Sequence, residues 1–509
     1  MTKVVILSVP YLEPYPAVAP ILLSACLNKN NIGAVGIDFN IELLKNFANY
    51  DWWPSFKNML CNGHLHSEKL PRRALINILK FTKKFLLDVN QKHNPTHIGL
   101  SIFTNESLDF SLVMSFLIRR YLPHCKIIAG GKGLEVHNSH ATDSLKHYDI
   151  FINQCIADMV IVGDAEQEIV AAVAENKSGV IFAKSQSAAD LDQVPLPQWS
   201  DYDLTIFDDL AKFRDQEHEY DEPHFAITAS KGCIRKCTFC DVASFWPDFI
   251  YRNPENVANE ILSYYRNTGI RKFRFTDNLI NGSVSNYRKI NQILADTVPN
   301  TLDYNGYAIF RGKNQMPVED FELAARAGCT LWNIGVESGS QRIRYDMGKK
   351  FTDSDLDWSV KMLHKVGIKQ VWLLIVGYPS ETEEDFEQTM ELMRRYAHLN
   401  NDSMIQYGIT PTFGLLDNSP IFNNPVLLKK YGLEHNIGNP HAQRFWTSTT
   451  NPENTFPVRL DRWRRLMQLC EDLNYSKQAD GFPLDKWQKE LISLEKLYND
   501  YQSANKITN

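Results

Sequence analysis

HFAITASKGCIRKCTFCDV, His224 to Val242, runs from a β-rich apolar stretch into three cysteines, Cys233, Cys237 and Cys240, spaced C-x3-C-x2-C. It is the only tight grouping among the chain's nine cysteines. Three thiolates can hold three irons of a cubane iron–sulfur cluster, and without a fourth cysteine nearby one iron stays open to a further ligand. Gly232 lets the backbone turn into the loop, while Arg235 and Lys236 bring positive charge beside an electron-rich centre. Zinc or free thiols are the other readings of the same residues. Zinc asks for a fourth donor, and His224 lies back on the strand.

Downstream, three more apolar runs end in polar or glycine-containing residues: FRFTDNLI (Phe273 to Ile280), NIGVESGSQRI (Asn333 to Ile343) and VWLLIVGYPSETEEDF (Val371 to Phe386). Each is followed by a helical pattern, the grammar of a βα barrel that builds its site at the carboxyl ends of parallel strands. Thr382 is placed to cap a helix whose first turn holds Glu383, Glu384 and Asp385, and Asn253-Pro254-Glu255 opens another. Strand–helix alternation over 224–410 predicts a partial, (β/α)6 TIM-type barrel.

These strings, in this order, resemble the radical S-adenosylmethionine (SAM) superfamily. The resemblance implies a 4Fe-4S cluster on Cys233, Cys237 and Cys240, with Phe239 as the aromatic residue before the last cysteine. It implies that SAM occupies the open iron and is cleaved reductively to a deoxyadenosyl radical, with electrons from an external donor such as flavodoxin or ferredoxin. Residue by residue, it gives Glu337 and Ser338 to the SAM ribose and Asp277 and Asn278 to its amino group, although GGE is absent there. Ile375 and Gly377 would lie against adenine. Arg311, after YNGYAIFR, is placed for the SAM carboxylate, which a guanidinium matches in two-pronged geometry.

The first 183 residues read as a separate domain. KVVILSV, AVGIDF, HIGLSIF, CKIIAGG and ADMVIVG are short β-rich runs separated mostly by helical stretches, which predicts a Rossmann-like open parallel sheet of about five strands. Placed ahead of such a core, it resembles the cobalamin (B12)-binding domain of the cobalamin-dependent radical SAM subgroup. Candidate cobalamin contacts are Ser101 and Thr104 after the third strand and Gly130, Gly131 and Gly133 after the fourth. No D-x-H-x-x-G is present, so either cobalamin binds without a protein histidine below cobalt, or the fold persists without the cofactor. A nucleotide-binding Rossmann site is disfavoured because PYLEPYPAVAP, not G-x-G-x-x-G, follows the first strand.

Residues 184–223 read as a polar, proline-bearing linker that packs partly on the barrel, and 411–509 as a mainly helical region with helices over Arg459 to Leu473 and Leu484 to Tyr501. NSPIFNNP and QRFWTSTTNPENTF read as loops. Trp446, Tyr475, Trp487, Cys329 and Cys470 read as core.

A length of 509 residues, 44% hydrophobic and 22% charged, fits a soluble α/β protein of two or three domains. The net charge of −6 gives no reason to expect nucleic acid as a partner, and no run is long and apolar enough for a membrane span. Cysteine usage without a secretory signal points to a reducing cytoplasm. The expected reaction is methyl transfer to an unreactive carbon of a small-molecule or peptide substrate. The alternatives are a radical rearrangement, and a non-enzymatic iron–sulfur or zinc protein. No residue is singled out as the acid–base catalyst.

Overall fold

The computed structural model describes residues 3–10, 16–56, 71–104, 107–135, 146–202, 204, 224–439, 441–477 and 487–507. The chain divides into two compact units, Met1–Phe225 and Ala226–Asn509.

The first unit is built on six parallel strands, β1 (Lys3–Ser8), β2 (Gly33–Ile37), β3 (His97–Ser101), β4 (Lys126–Gly130), β5 (Met159–Val162) and β6 (Gly179–Phe182), in the order β2-β1-β3-β4-β5-β6. Helices cover both faces, so the strands alternate between two apolar layers rather than between core and water. Val5, Leu7, Ile98, Leu100, Ile127 and Val160 enter one cluster with Phe39 and Phe110. Val4, Ile6, Ile128, Met159 and Ile161 enter the other. The strand order reverses between β1 and β3, the switch point outside whose carboxyl ends such sheets bind ligands. The sixth strand, GVIF, escaped the sequence reading because three half-buried residues and an exposed Phe182 carry little periodicity.

At the carboxyl ends of β1 and β2 a buried knot closes the sheet. Ser8 Oγ donates to Asp38 Oδ1 at 2.7 Å, and the Ala17 N–H donates to Asp38 Oδ2 at 2.8 Å. Burial pushes the Asp38 carboxyl above its ordinary range against these hydrogen bonds.

The second unit carries β7 (Phe225–Ile227), a two-stranded antiparallel ribbon of β8 (Ser230–Lys231) and β9 (Ile250–Tyr251), then β10 (Lys272–Phe275), β11 (Asp303–Ala308), β12 (Cys329–Glu337), β13 (Lys369–Leu374), β14 (Ile405–Ile409) and β15 (Ser476–Lys477). Apart from the ribbon these form one sheet, in the order β15-β14-β13-β12-β11-β10-β7. Neighbours from β10 to β15 run parallel and follow one another in sequence, the winding of an open barrel. The expected caps are present. Asn253 Oδ1 accepts from the Glu255 N–H at 2.8 Å, and Thr382 forms a capping box with Asp385.

The C-terminal helices are Phe456–Asp472 and Trp487–Ile507. Parts of the two stretches read as loops are helical instead, Pro420–Asn423 and Ala442–Phe445, and the helix Pro425–Lys430 starts at the last residue of the first stretch. Ser419-Pro420 and Asn424-Pro425 set proline at the first helical position, where its missing N–H costs nothing, and Asn424 Oδ1 accepts from Val426 N–H at 2.9 Å. Trp446, Tyr475, Trp487, Cys329 and Cys470 are buried. Of the linker expected over 184–223, Ala188–Gln193 is a short helix closed by a Ser187–Asp190 capping box, and residues 203 and 205–223 lie outside the described residues. Among the described residues no helix is long and apolar enough to cross a membrane.

Candidate functional site

The ribbon β8–β9 closes the base of the loop that bears Cys233, Cys237 and Cys240. Gly232 makes that closure possible, because its φ is +79° and a side chain there would lie 2.2 Å from the Asp248 carbonyl oxygen. Cys237 is buried, and Cys233 and Cys240 are partly exposed. The Arg235 N–H approaches Cys233 Sγ at 3.4 Å, and the Cys240 N–H donates to the Cys237 carbonyl at 3.2 Å. Burial pushes the Cys237 thiol up to about 11, against the pull of Lys349, and also raises Cys240. Among the described residues no three His, Cys, Asp or Glu side chains converge as ligands of a single ion would. A cubane takes one thiolate per iron and makes no such demand.

The strand-end residues gather along the carboxyl edge of the same sheet. Glu337 ends β12 in a left-handed conformation, φ +65°, at a register irregularity against β13. A non-glycine residue there is strained, and strain of this kind collects at functional sites. Glu337 pairs with Lys349 at 2.6 Å, both side chains about one-tenth exposed. Gly335 leaves room for the pair, since a Cβ there would sit 2.3 Å from the Glu337 carboxylate and 2.4 Å from Lys349 Nζ. Burial opposes the lysine charge, but Glu337 and then Cys237 outweigh it and raise its pKa. Lys349 also lies 5.7 Å from the centre of the Phe239 ring. It links the cysteine loop to Glu337, and the sequence reading missed it.

Ser338 is committed within the fold. Its Oγ accepts from the Ser340 N–H at 3.1 Å and lies 3.3 Å from Thr389 Oγ1. Asp277 is buried after β10 and accepts from the Ala229 N–H at 2.9 Å and Ser230 Oγ at 2.5 Å, tying β10 to the ribbon. Burial lifts its pKa to about 6. Asn278 is half-buried beside it.

Arg311 is 8% exposed, and its Nη2 donates to the carbonyls of Asn281 (2.8 Å) and Gly282 (2.9 Å). No carboxylate faces it among the described residues, and its Nε and that of Arg235 are buried without a partner. Burial, then Arg235, draws its pKa down to about 10, while Cys233 opposes the shift. A buried guanidinium lacking a counter-ion is a poor structural element and a good receptor for an anion.

Ile375 packs with Phe239 on the cluster containing Tyr378, Phe413, Tyr431 and Trp446. Gly377, φ +84°, is overlaid by Arg459, whose Cδ would lie 2.2 Å from a Cβ there. Arg459 is fully buried, stacks on Trp446 at 3.7 Å and donates to the Asn454 and Trp446 carbonyls at 2.6 and 3.1 Å. It was indistinguishable in the sequence from its neighbours Arg464, which is exposed, and Arg465, which is half-buried.

In the first unit Ser101, the last residue of β3, pairs with Gly130, the last residue of β4, and beyond the two strands Ile102 meets Gly131 and Thr104 meets Gly133. The two loops lock by backbone: the Ile102 N–H donates to Gly130 O at 2.8 Å and the Gly133 N–H to Ile102 O at 3.1 Å. The space that side chains would take at Gly131 and Gly133 is filled by Ile102 O and Thr104 O, at 2.2 and 2.3 Å. The close approach there is thus made by the chain's own backbone. Thr104 Oγ1 shares a hydrogen bond with Ser107 Oγ at 3.3 Å.

Residues 227–393 match the model of the Radical SAM superfamily. Cytidylyl-2-hydroxyethylphosphonate methyltransferase from Streptomyces wedmorensis is 23% identical over 211 residues, 41% of this chain. The matched part spans about two-fifths of that relative, 39% of its length. Two solved structures are similar at 15% identity. The radical SAM methyltransferase TsrM from Kitasatospora setae, with tryptophan and a SAM analogue bound, has a TM-score of 0.59 over 83% of this chain and 75% of its own. The cobalamin-dependent SAM radical enzyme OxsB has a TM-score of 0.60 over 98% of this chain and 71% of its own. These likenesses describe the fold, and they extend over both units.

Proposed function

With residues 227–393 belonging to the Radical SAM superfamily, we propose that this protein is a cobalamin-dependent radical SAM enzyme that transfers a methyl group to an unreactive carbon. One observation carries the radical SAM part of the reading: three cysteines on one loop at the carboxyl edge of the sheet, with Arg311 buried in the field of Cys233 and lacking a counter-anion among the described residues.

The residues fit the groups. Cys233, Cys237 and Cys240 would hold a 4Fe-4S cluster, Arg311 would take the SAM carboxylate, and Glu337 would turn from Lys349 toward the ribose hydroxyls. Ile375 and Phe239 offer the apolar wall on which adenine would lie. Ser101, Thr104 and the Gly130–Gly133 turn would border cobalamin at the carboxyl edge of the first sheet. When bound, the cluster supplies the electron that cleaves SAM to a deoxyadenosyl radical, and cobalamin supplies a methyl carrier. The chain's own part is to exclude water from the loop, to neutralise the bound carboxylate and to orient SAM. An external donor such as flavodoxin or ferredoxin would provide the electrons, and the substrate would be a small molecule or peptide.

Anaerobic reconstitution with iron, sulfide and hydroxocobalamin, followed by metal and cobalamin quantitation, tests the reading. About four irons and one cobalamin per chain, with deoxyadenosine released from SAM after reduction, are expected. A cluster without cobalamin would end the methyl-transfer mechanism in favour of a radical rearrangement. Zinc without a reconstitutable cluster would overturn the whole reading.

A further inference from the structure

Thr238 sits between Cys237 and Phe239, and each of its polar groups is held by a different part of the second unit. Its N–H donates to the carbonyl of Met347 at 3.0 Å, and its carbonyl accepts from the Ile421 N–H at 2.7 Å. Its hydroxyl shares a 2.7 Å hydrogen bond with the phenol of Tyr378. Tyr378 donates onward to the phenol of Tyr431 at 2.8 Å, and the rings meet edge to face at 5.5 Å. Lys430 Nζ lies 3.1 Å from the Tyr431 oxygen and pairs with Asp346, whose neighbour Met347 closes the circuit.

The chain of hydroxyls is buried over its phenols, with Tyr378 at 0% and Tyr431 at 2% exposure, and emerges at a cavity of about 550 Å³ lined in part by Asp346, Ser380, Lys430 and Tyr431. A second strut joins the same parts, Ser244 Oγ donating to the Asn418 carbonyl at 2.5 Å.

We propose that Tyr378 and Tyr431 are positioning residues through which the C-terminal segment 418–431 fixes the geometry of the cysteine loop and so tunes its metal centre. The inference rests on the cluster reading above. Outer hydrogen bonds orient ligands, and the reduction potential of an iron–sulfur cluster follows the peptide dipoles and solvent around its sulfurs. Thr238 lies within the turn that supplies those dipoles. Freeing its hydroxyl loosens the Cys237–Cys240 turn without touching a sulfur.

The test uses the full chain, four single variants and the double variant Tyr378→Phe with Thr238→Val. Tyr378→Phe, Tyr431→Phe and Thr238→Val each break the relay, and Tyr407→Phe is the control, because its buried phenol has no partner among the described residues. On the metal-free protein, amide hydrogen exchange over residues 233–240 should quicken about tenfold in Tyr378→Phe and Thr238→Val, as expected for a lost buried hydrogen bond, and stay unchanged in Tyr407→Phe. On reconstituted protein, Tyr378→Phe and Thr238→Val should shift the cluster midpoint potential in the same direction. The double variant should go no further than either alone.

Wild-type exchange and potentials in the relay variants, or additive shifts, would overturn the proposal. A wild-type chain that takes no cluster would defeat the functional reading instead, and the exchange measurement would still decide the clamp.

Discussion

Lys349 and Glu381 are buried charges that serve opposite ends. Lys349 neutralises Glu337 at a strained strand end. Replacing it with methionine leaves the carboxylate buried and unpaired, at a cost of about 3 kcal/mol in chemical denaturation of the metal-free protein, and Lys349→Met with Glu337→Gln should recover most of it. Glu381 receives the Gly377 N–H at 2.8 Å and Arg462 at 3.3 Å, with Asp385 and Glu383 nearby. Burial pushes its pKa to about 7, Arg462 opposing. The folded chain therefore keeps this proton above the unfolded value of 4.5, and its contribution falls as pH rises from 4.5 toward 7. Glu381→Gln should be the more stable protein at pH 7 by about 2 kcal/mol, and its advantage should disappear near pH 4.5. The cysteines were legible because chemistry fixes their spacing. Lys349 was not, since Gly348-Lys349-Lys350 reads as an ordinary solvated turn and only folding brings it to Glu337.

At the level of elements, helix ends carry the site. The capping-box residue Asp385 opens the helix Glu383–Tyr396, yet its carboxylate also accepts from Ser340 Oγ at 2.7 Å and pairs with Arg342, so one side chain fastens the loops after β12 and β13. Burial works against its charge, but Arg342, Ser340 and Thr382 prevail and hold its pKa down to about 2. Here the sign is reversed. The stabilisation is complete above the unfolded value near 4 and is lost as pH falls through 2. Asp385→Asn should cost about 2 kcal/mol at neutral pH, and urea titrations should show that gap narrowing below pH 4. The sequence showed Thr382 as a cap and the strands around it as apolar runs, because capping and strand burial are local. It did not show that the helix Pro420–Asn423 occupies what read as a loop, because four residues carry too little periodicity. That Ile421 and Tyr431 grip the cysteine turn depends on packing nearly two hundred residues away in sequence.

On the scale of the whole molecule, each unit has its own core and its own strand-end edge, so the two proposed cofactors should be lost independently. Replacing Cys233, Cys237 and Cys240 together with alanine removes every thiolate of the loop and leaves the apolar layers around β1, β3 and β4 intact. Such a protein should reconstitute without iron yet take up cobalamin as the wild type does. Gly133→Val acts on the other unit alone. Its side chain would begin 2.3 Å from the Thr104 carbonyl oxygen and prise apart the loops after β3 and β4 where Ser101, Thr104 and Gly130 gather. Cobalamin retained after gel filtration should fall at least about tenfold, a loss of roughly 1.4 kcal/mol in binding, while about four irons per chain remain. Cobalamin vanishing with the cysteines, or iron vanishing with Gly133, would show that the cofactors are not divided between the units as proposed.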